Sequence, residues 1–81
     1  MAGFAKTEEE IAERVSRYLK AELKRGGLTY AGLAEKLAKH GLKGDTADSI
    51  KSKLARGTFA ATFFLASLAA LELPGMQLED I

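Results

Sequence analysis

Five polar side chains recur at helical spacing in the stretch TADSIKSKLARG, residues 46–57, opposite the apolar Ile50 and Leu54. Such side chains can read the edges of nucleic-acid bases. Arginine pairs bidentately with guanine, serine bonds a base or a phosphate, and aspartate accepts from the cytosine amino group. The candidates for base reading are Asp48, Ser49, Ser52, Lys53 and Arg56. The same face could also be the solvated side of an ordinary helix, with its acid stabilising the helix N-terminus.

Basic residues concentrate around this stretch, although the whole chain has a net charge of only +1. Residues 29–57 carry six basic and three acidic side chains, whereas residues 58–81 carry no basic and three acidic ones. The middle of the chain is therefore the part that we expect to meet an anion. Three lysines and two threonines at helix starts are the predicted phosphate contacts: Lys36, Lys39, Lys43, Thr29 and Thr46. Each lysine alone could also be merely solvated, as lysine is common on any surface.

The elements that position these residues are predicted to be helices, because no run alternates with period two and β-branched residues are few. Thr7, three residues before Glu10, forms a capping-box pattern at the start of the first helix. A fourth helix is predicted to start at Gly57 or Thr58, and MQLEDI could add a final turn. The predicted helices are TEEEIAERVSRYLKAELKR, Thr29–His40, Thr46–Arg56 and FAATFFLASLAALEL. The sequence thus predicts one all-α domain, residues 1–81, built as a compact bundle of four to five short helices.

Two of these helices, joined by a glycine-containing turn, predict a helix-turn-helix over residues 29–57. The small Ala34 allows the second helix to cross the first closely, and its outer face can then enter a major groove. The chain resembles the Cro/repressor (XRE-like) helix-turn-helix family through GLTYAGLA, residues 27–34, and IKSKLARG, residues 50–57. It is also similar to a group of short uncharacterised bacterial proteins with a domain of unknown function, which share the LKAEL, GLTYA, RGTF and FFL pattern.

The resemblance implies a lambda-repressor-like fold and a role in DNA binding. It adds Tyr30 to the predicted phosphate contacts, because Tyr30 stands where the Cro/repressor family has a phosphate-holding glutamine. Tyr30 could instead belong to the core. The turn from Lys39 to Asp45 is longer than the turn of that family, which leaves the register of the third helix open.

A helix is predicted over residues 58–73, and it carries no charge as far as Leu71 and is apolar on nearly all sides. Phe64 and Leu68 are expected to anchor it to its own core. The other side is predicted to line a homodimer interface through Phe59, Phe63, Ala66 and Ala70. Alternatively, the first helix and the C-terminal turn cover that side within one chain.

Few groups in the chain could support catalysis, since it has no cysteine and a single histidine, His40, at the end of a predicted helix. We expect His40 to cap that helix or to border the core, and we expect no enzyme, no metal and no cofactor. The N-terminus shows no signal-peptide pattern, and the longest uncharged run, Gly57–Leu71, is too short to span a bilayer. We therefore expect a cytoplasmic, nucleoid-associated protein without membrane contact.

These features predict a sequence-specific double-stranded DNA-binding protein, a bacterial or phage transcriptional regulator. It would act as a homodimer with the helix of residues 46–56 in the major groove. The alternative is a protein–protein interaction module that uses the Phe59/Phe63 surface to hold a larger partner, without binding DNA. Another transcription-regulating protein is a further candidate partner.

Overall fold

Four α-helices and a short 3-10 helix follow one another along the chain in the computed structural model, which describes residues 4–81 apart from the side chain of residue 80. They are α1 (Glu8–Arg25), α2 (Tyr30–Lys39), α3 (Ala47–Arg56), α4 (Ala61–Ala70) and the 3-10 helix Leu78–Asp80. No strand occurs in this described part of the chain, so the predicted all-α class is confirmed. Among the same residues, no helix is long and apolar enough to cross a membrane.

Threonine caps set where the first three helices begin. The Thr7 hydroxyl accepts from the backbone N–H of Glu10 over 3.1 Å, and Thr29 caps α2 in the same way. At α3 the cap is reciprocal, because Thr46 accepts from the Ser49 N–H over 3.1 Å and the Ser49 hydroxyl accepts from the Thr46 N–H over 2.8 Å. Of the capping box predicted at Thr7 and Glu10, the Thr7 half is present at α1, whereas α3 carries a complete capping box.

The core lies where α2 packs against α3 and α4 and where α1 packs against α3. On α2 and on α3 the two buried residues are four positions apart, so each short helix turns one side inward. The opposite sides of these two helices remain in solvent. The buried core cluster consists of Leu19, Leu23, Leu33, Leu37, Ile50, Leu54, Phe63 and Ala70.

Two close contacts tie the end of α3 to the middle of α1. Gly57 follows α3 in the left-handed conformation, with a φ of 72°, and its N–H bonds the carbonyl of Lys53. A Cβ at this position would collide with the carbonyl group of Ala12, so only glycine lets the two backbones approach so closely. The Ser16 hydroxyl donates to the Leu54 carbonyl over 2.6 Å and satisfies an acceptor that the end of a helix leaves unpaired.

The fourth helix begins later than predicted. α4 starts at Ala61, not at Gly57 or Thr58, and no side-chain hydrogen bond caps it. Residues 58–60 form a non-helical link between α3 and α4. The physical reason lies in Gly57, because its approach to α1 fixes the point from which the chain must cross to the position of α4.

The side of α4 that was predicted to bind a second copy faces the core of its own chain. Phe63 is 2% exposed and Ala70 is 5% exposed, while Phe59 and Ala66 are partly buried against the same core. The Phe59 and Phe63 rings meet edge-on, with 5.0 Å between their centroids. The placement of Phe63 and Ala70 on an outer surface was therefore wrong, and Phe59 and Ala66 are only partly exposed. A helix that is apolar on all sides shows no periodicity that separates inside from outside. The exposed side of α4 carries Ala61, Thr62, Leu65 and Ala69.

Candidate nucleic-acid interface

One stripe of α3 is turned fully to solvent. Ile50 and Leu54 bury the inner side, and with 3.6 residues per turn the opposite side is centred on Ser52, between Asp48 and Arg56. All three of these side chains are exposed, and no ion pair or hydrogen bond engages them among the described residues. The stripe thus presents a carboxylate, a hydroxyl and a guanidinium whose hydrogen-bonding groups are available to a ligand.

Ser49 and Lys53, which the sequence placed on the same exposed face, are turned toward the loop before α3. Both residues are partly buried. The Ser49 hydroxyl donates to Oδ1 of Asp45 over 2.9 Å, and Nζ of Lys53 lies 2.6 Å from the same oxygen. The expectation of exposure is correct for Asp48, Ser52 and Arg56 but wrong for Ser49 and Lys53. A shielded carboxylate in the loop engages the side chains of the latter two.

The sequence reading missed two exposed residues of α3, namely Lys51 and Ala55. Ala55 lies beside Ser52 on the outer stripe, and Lys51 flanks it. Ala55 was missed because the candidates were chosen as polar side chains. Lys51 and Lys53 lie at equal angles from the buried pair, so helical spacing alone does not separate them, and the bond of Lys53 to Asp45 does.

The lysines predicted to meet phosphate, Lys36, Lys39 and Lys43, are all exposed. No ion pair engages them among the described residues. Thr29 and Thr46 are exposed as well, and each hydroxyl oxygen accepts one backbone N–H as a cap. A hydroxyl that accepts in a cap still has its hydrogen to donate, so either threonine can bond an anion at the start of its helix.

Tyr30 lies at the edge of the core. It is partly buried and packs against the core, as the second alternative required. It also lines a shallow cavity of about 320 Å³ together with Thr29 and with Lys20 and Lys24 of α1. Two lysines that the sequence reading did not select therefore stand beside the N-terminus of α2, where the helix dipole favours an anion.

A second, open groove of about 600 Å³ lies between α1 and the end of α3. Its lining carries charges of both signs, with Glu8, Glu9 and Glu13 facing Arg17 and Arg56 among others. Such a mixed lining favours neither anions nor cations.

His40, the C-cap of α2, is exposed and lies outside this lining.

Comparison with known proteins gives one family. Residues 3–76 match the family described as a domain of unknown function, DUF6471. No curated protein matches the chain, and no solved structure matches it. The matched segment includes α1, α2, α3 and α4 in full. The chain therefore belongs to the DUF6471 family.

Proposed function

We propose that this protein binds double-stranded DNA sequence-specifically, as a homodimeric transcriptional regulator of bacterial or phage origin. The observation that carries the proposal is the exposed stripe of Asp48, Ser52 and Arg56 on α3. The major groove is about 12 Å wide and admits one α-helix, whose outward side chains then meet the base edges. An exposed helix side that carries donors and acceptors without intramolecular partners is what such a contact requires.

Each residue of the stripe has a distinct role in this proposal. Arg56 bonds O6 and N7 of a guanine, and Asp48 accepts from the amino group of a cytosine. Ser52 bonds a base or a phosphate, and its short side chain lets α3 approach the groove floor. The Ala55 methyl group packs against a thymine methyl group. A helix face that contacted only solvent would not require these particular side chains.

The elements around α3 support the same arrangement. In a helix-turn-helix the first helix crosses the DNA backbone while the second lies in the groove, and α2 and α3 would take these two positions. Lys36, Lys39 and Lys43 then contact phosphates, and so do Thr29 and Tyr30 at the start of α2. The resemblance to Cro/repressor proteins in residues 27–34 and 50–57 favours this assignment.

We expect a dimer because a single chain offers only a small set of base-reading residues. One α3 offers three polar base-reading residues, and a two-fold protein doubles them on a two-fold operator. Because Phe63 and Ala70 are buried in their own chain, the dimer contact moves to the exposed side of α4, around Leu65. Leu65 is 62% exposed, and its neighbours on that side carry no charge.

The test is selection of a preferred sequence from random duplex DNA, followed by titration at two salt concentrations, roughly 50 and 200 mM. We expect Arg56→Ala to weaken binding to the selected site by about 1–3 kcal/mol and to leave the fold intact by circular dichroism. Arg56→Lys is the matched control, because it keeps the charge and loses the bidentate geometry. It should restore binding to random DNA but not the preference for the selected site.

Two results would overturn the proposal. The first is a wild-type protein that enriches no sequence and whose binding does not depend on salt. The second is an Arg56→Ala variant that keeps full affinity for the selected site.

A second candidate function is a protein–protein interaction module. The observation that favours it is Leu65, a large apolar side chain left in solvent on an uncharged helix side. In that case α4 would hold a larger partner and α3 would remain solvated. The selection experiment separates the two functions, because only the first predicts enrichment of a DNA sequence.

A further inference from the structure

A shielded carboxylate lies in the loop just before α3. The Asp45 side chain is 8% exposed, and its Oδ1 accepts hydrogen bonds from two residues of α3. One donor is the Ser49 hydroxyl, at 2.9 Å, and the other is Nζ of Lys53, at 2.6 Å. A carboxylate removed from water is stable only when paired and hydrogen-bonded, and both conditions are met here.

Lys53 has a second partner on another element. Its Nζ lies 4.7 Å from the centroid of the Phe63 ring, within the range of a cation–π contact. Phe63 is buried in the core and cannot turn away. The ammonium group is therefore held between the loop and α4, and the Lys53 side chain is only 28% exposed.

Ser49 is held just as firmly. Its hydroxyl oxygen accepts the Thr46 N–H in the capping box, and its hydrogen is shared between Asp45 and the Thr46 carbonyl. The hydrogen of this hydroxyl and one of its two acceptor positions are thus used within the chain. Of the five polar residues of α3 selected from the sequence, two are bound to the loop and three are not.

We propose that Asp45 is a positioning residue of the DNA interface, which withholds Lys53 and Ser49 from DNA and thereby confines base reading to Asp48, Ser52 and Arg56. This inference rests on the proposed function.

The consequence for specificity is electrostatic. A released lysine is a mobile point charge that contacts phosphates of any sequence. It would raise affinity for random DNA more than affinity for the selected site, since phosphate contacts carry no direct sequence information. By holding Lys53, Asp45 keeps the ratio between specific and random binding high.

The test is a four-protein cycle of wild type, Asp45→Asn, Lys53→Met and the double variant. Methionine keeps an apolar contact to Phe63 and removes the charge. The readout is the dependence of affinity on salt with random duplex DNA, and thermal unfolding confirms that each variant is folded. Lys36→Met is the matched control, because Lys36 is exposed and expected on a phosphate.

We expect Lys53→Met to leave the salt dependence unchanged, whereas Lys36→Met flattens it by about one unit. Asp45→Asn should steepen it by about one unit, which is about a 3.5-fold larger loss of affinity between roughly 50 and 200 mM salt. It should also lower the ratio of specific to random affinity. The double variant should return to the wild-type salt dependence, because the released charge is gone.

The outcomes are distinguishable. If Lys53→Met flattens the salt dependence as much as Lys36→Met does, then Lys53 already contacts phosphate and the inference is overturned while the proposed function stands. The same holds if a folded Asp45→Asn variant behaves as wild type. If Asp45→Asn does not fold, the result with Lys53→Met alone decides. A wild-type protein without measurable affinity for duplex DNA overturns both the proposed function and this inference.

Discussion

Two serines of the core, Ser16 and Ser67, are both buried but differ in what their hydroxyl groups bond. The Ser16 hydroxyl donates to the Leu54 carbonyl, whereas the Ser67 hydroxyl has no hydrogen-bond partner among the described residues. A buried hydroxyl without a partner costs about 1–3 kcal/mol relative to one that stays in water. The two side chains therefore contribute to stability with opposite signs.

Ser67→Ala should accordingly raise the free energy of unfolding by roughly 1 kcal/mol, because it removes an unsatisfied group and improves helix propensity. Ser16→Ala should lower it by roughly 1–2 kcal/mol, because the Leu54 carbonyl loses its donor. Urea unfolding followed by circular dichroism measures both changes. A loss of stability in Ser67→Ala would show that its hydroxyl is bonded after all.

Asp45 illustrates what the sequence could and could not reveal about single residues. Its position before an apolar helix indicated a cap or turn residue, and it lies in the loop just before the Thr46 cap. Its bonds to Ser49 and Lys53 depend on how the loop folds back onto α3, and the sequence separation of Asp45 and Lys53 gives no sign of that. Two of the five base-reading candidates were therefore wrongly predicted to be exposed.

At the scale of elements, the junction of α1 and α3 depends on one glycine. Gly57 needs its positive φ, and it also needs the space that a Cβ would take from Ala12. Gly27 has a similar φ of 67° but open space around the position of a Cβ. Comparison of the two glycines thus separates two free-energy costs of adding a side chain. One is the cost of a positive φ, and the other is the cost of the clash with Ala12.

Gly27→Ala should lower the free energy of unfolding by about 1–2 kcal/mol, the usual cost of a left-handed alanine. Gly57→Ala should lower it by about 1–3 kcal/mol more, because α1 and α3 must move apart to admit the methyl group. Thermal or denaturant unfolding of both variants measures the difference. Equal losses would mean that the contact with Ala12 does not constrain the fold.

The element boundaries were predictable wherever a side chain marks them. Thr7, Thr29 and Thr46 each precede an apolar periodic run, and each caps a helix in the structure. The start of α4 was not predictable in this way, because Ala60 offers no side-chain cap. Its location follows instead from the position of Gly57 against α1, which is a tertiary contact.

At the scale of the whole molecule, α4 turns one side to the chain's own core and the other side to solvent. Phe63 belongs to the core and Leu65, two residues later, to the solvent. The charge-free sequence of α4 was right in indicating burial but could not say which side is buried. The sequence was limited in the same way at the candidate site, because the exposed stripe of α3 depends on which two of its residues face inward.

Leu65→Glu and Phe63→Glu form a matched pair that tests the dimer. Phe63→Glu should unfold the chain, because it replaces a buried core ring with a shorter polar side chain and leaves a cavity. Leu65→Glu should change the free energy of unfolding by no more than about 0.5 kcal/mol, as is usual at an exposed site. If the proposed dimer forms through α4, the Leu65→Glu variant should sediment as a folded monomer. A wild-type protein that is monomeric at high concentration would contradict this interface.

The fixing of α3 at both ends has a consequence for the thermodynamics of recognition. Its first turn is held by Asp45 and the capping box, and its last turn by Ser16 and Gly57. Little backbone entropy remains to be lost when the helix meets a ligand, since its conformation is already set. Binding by α3 would then proceed as the docking of a rigid surface, and its heat-capacity change would follow the apolar area covered at the contact rather than the folding of a segment.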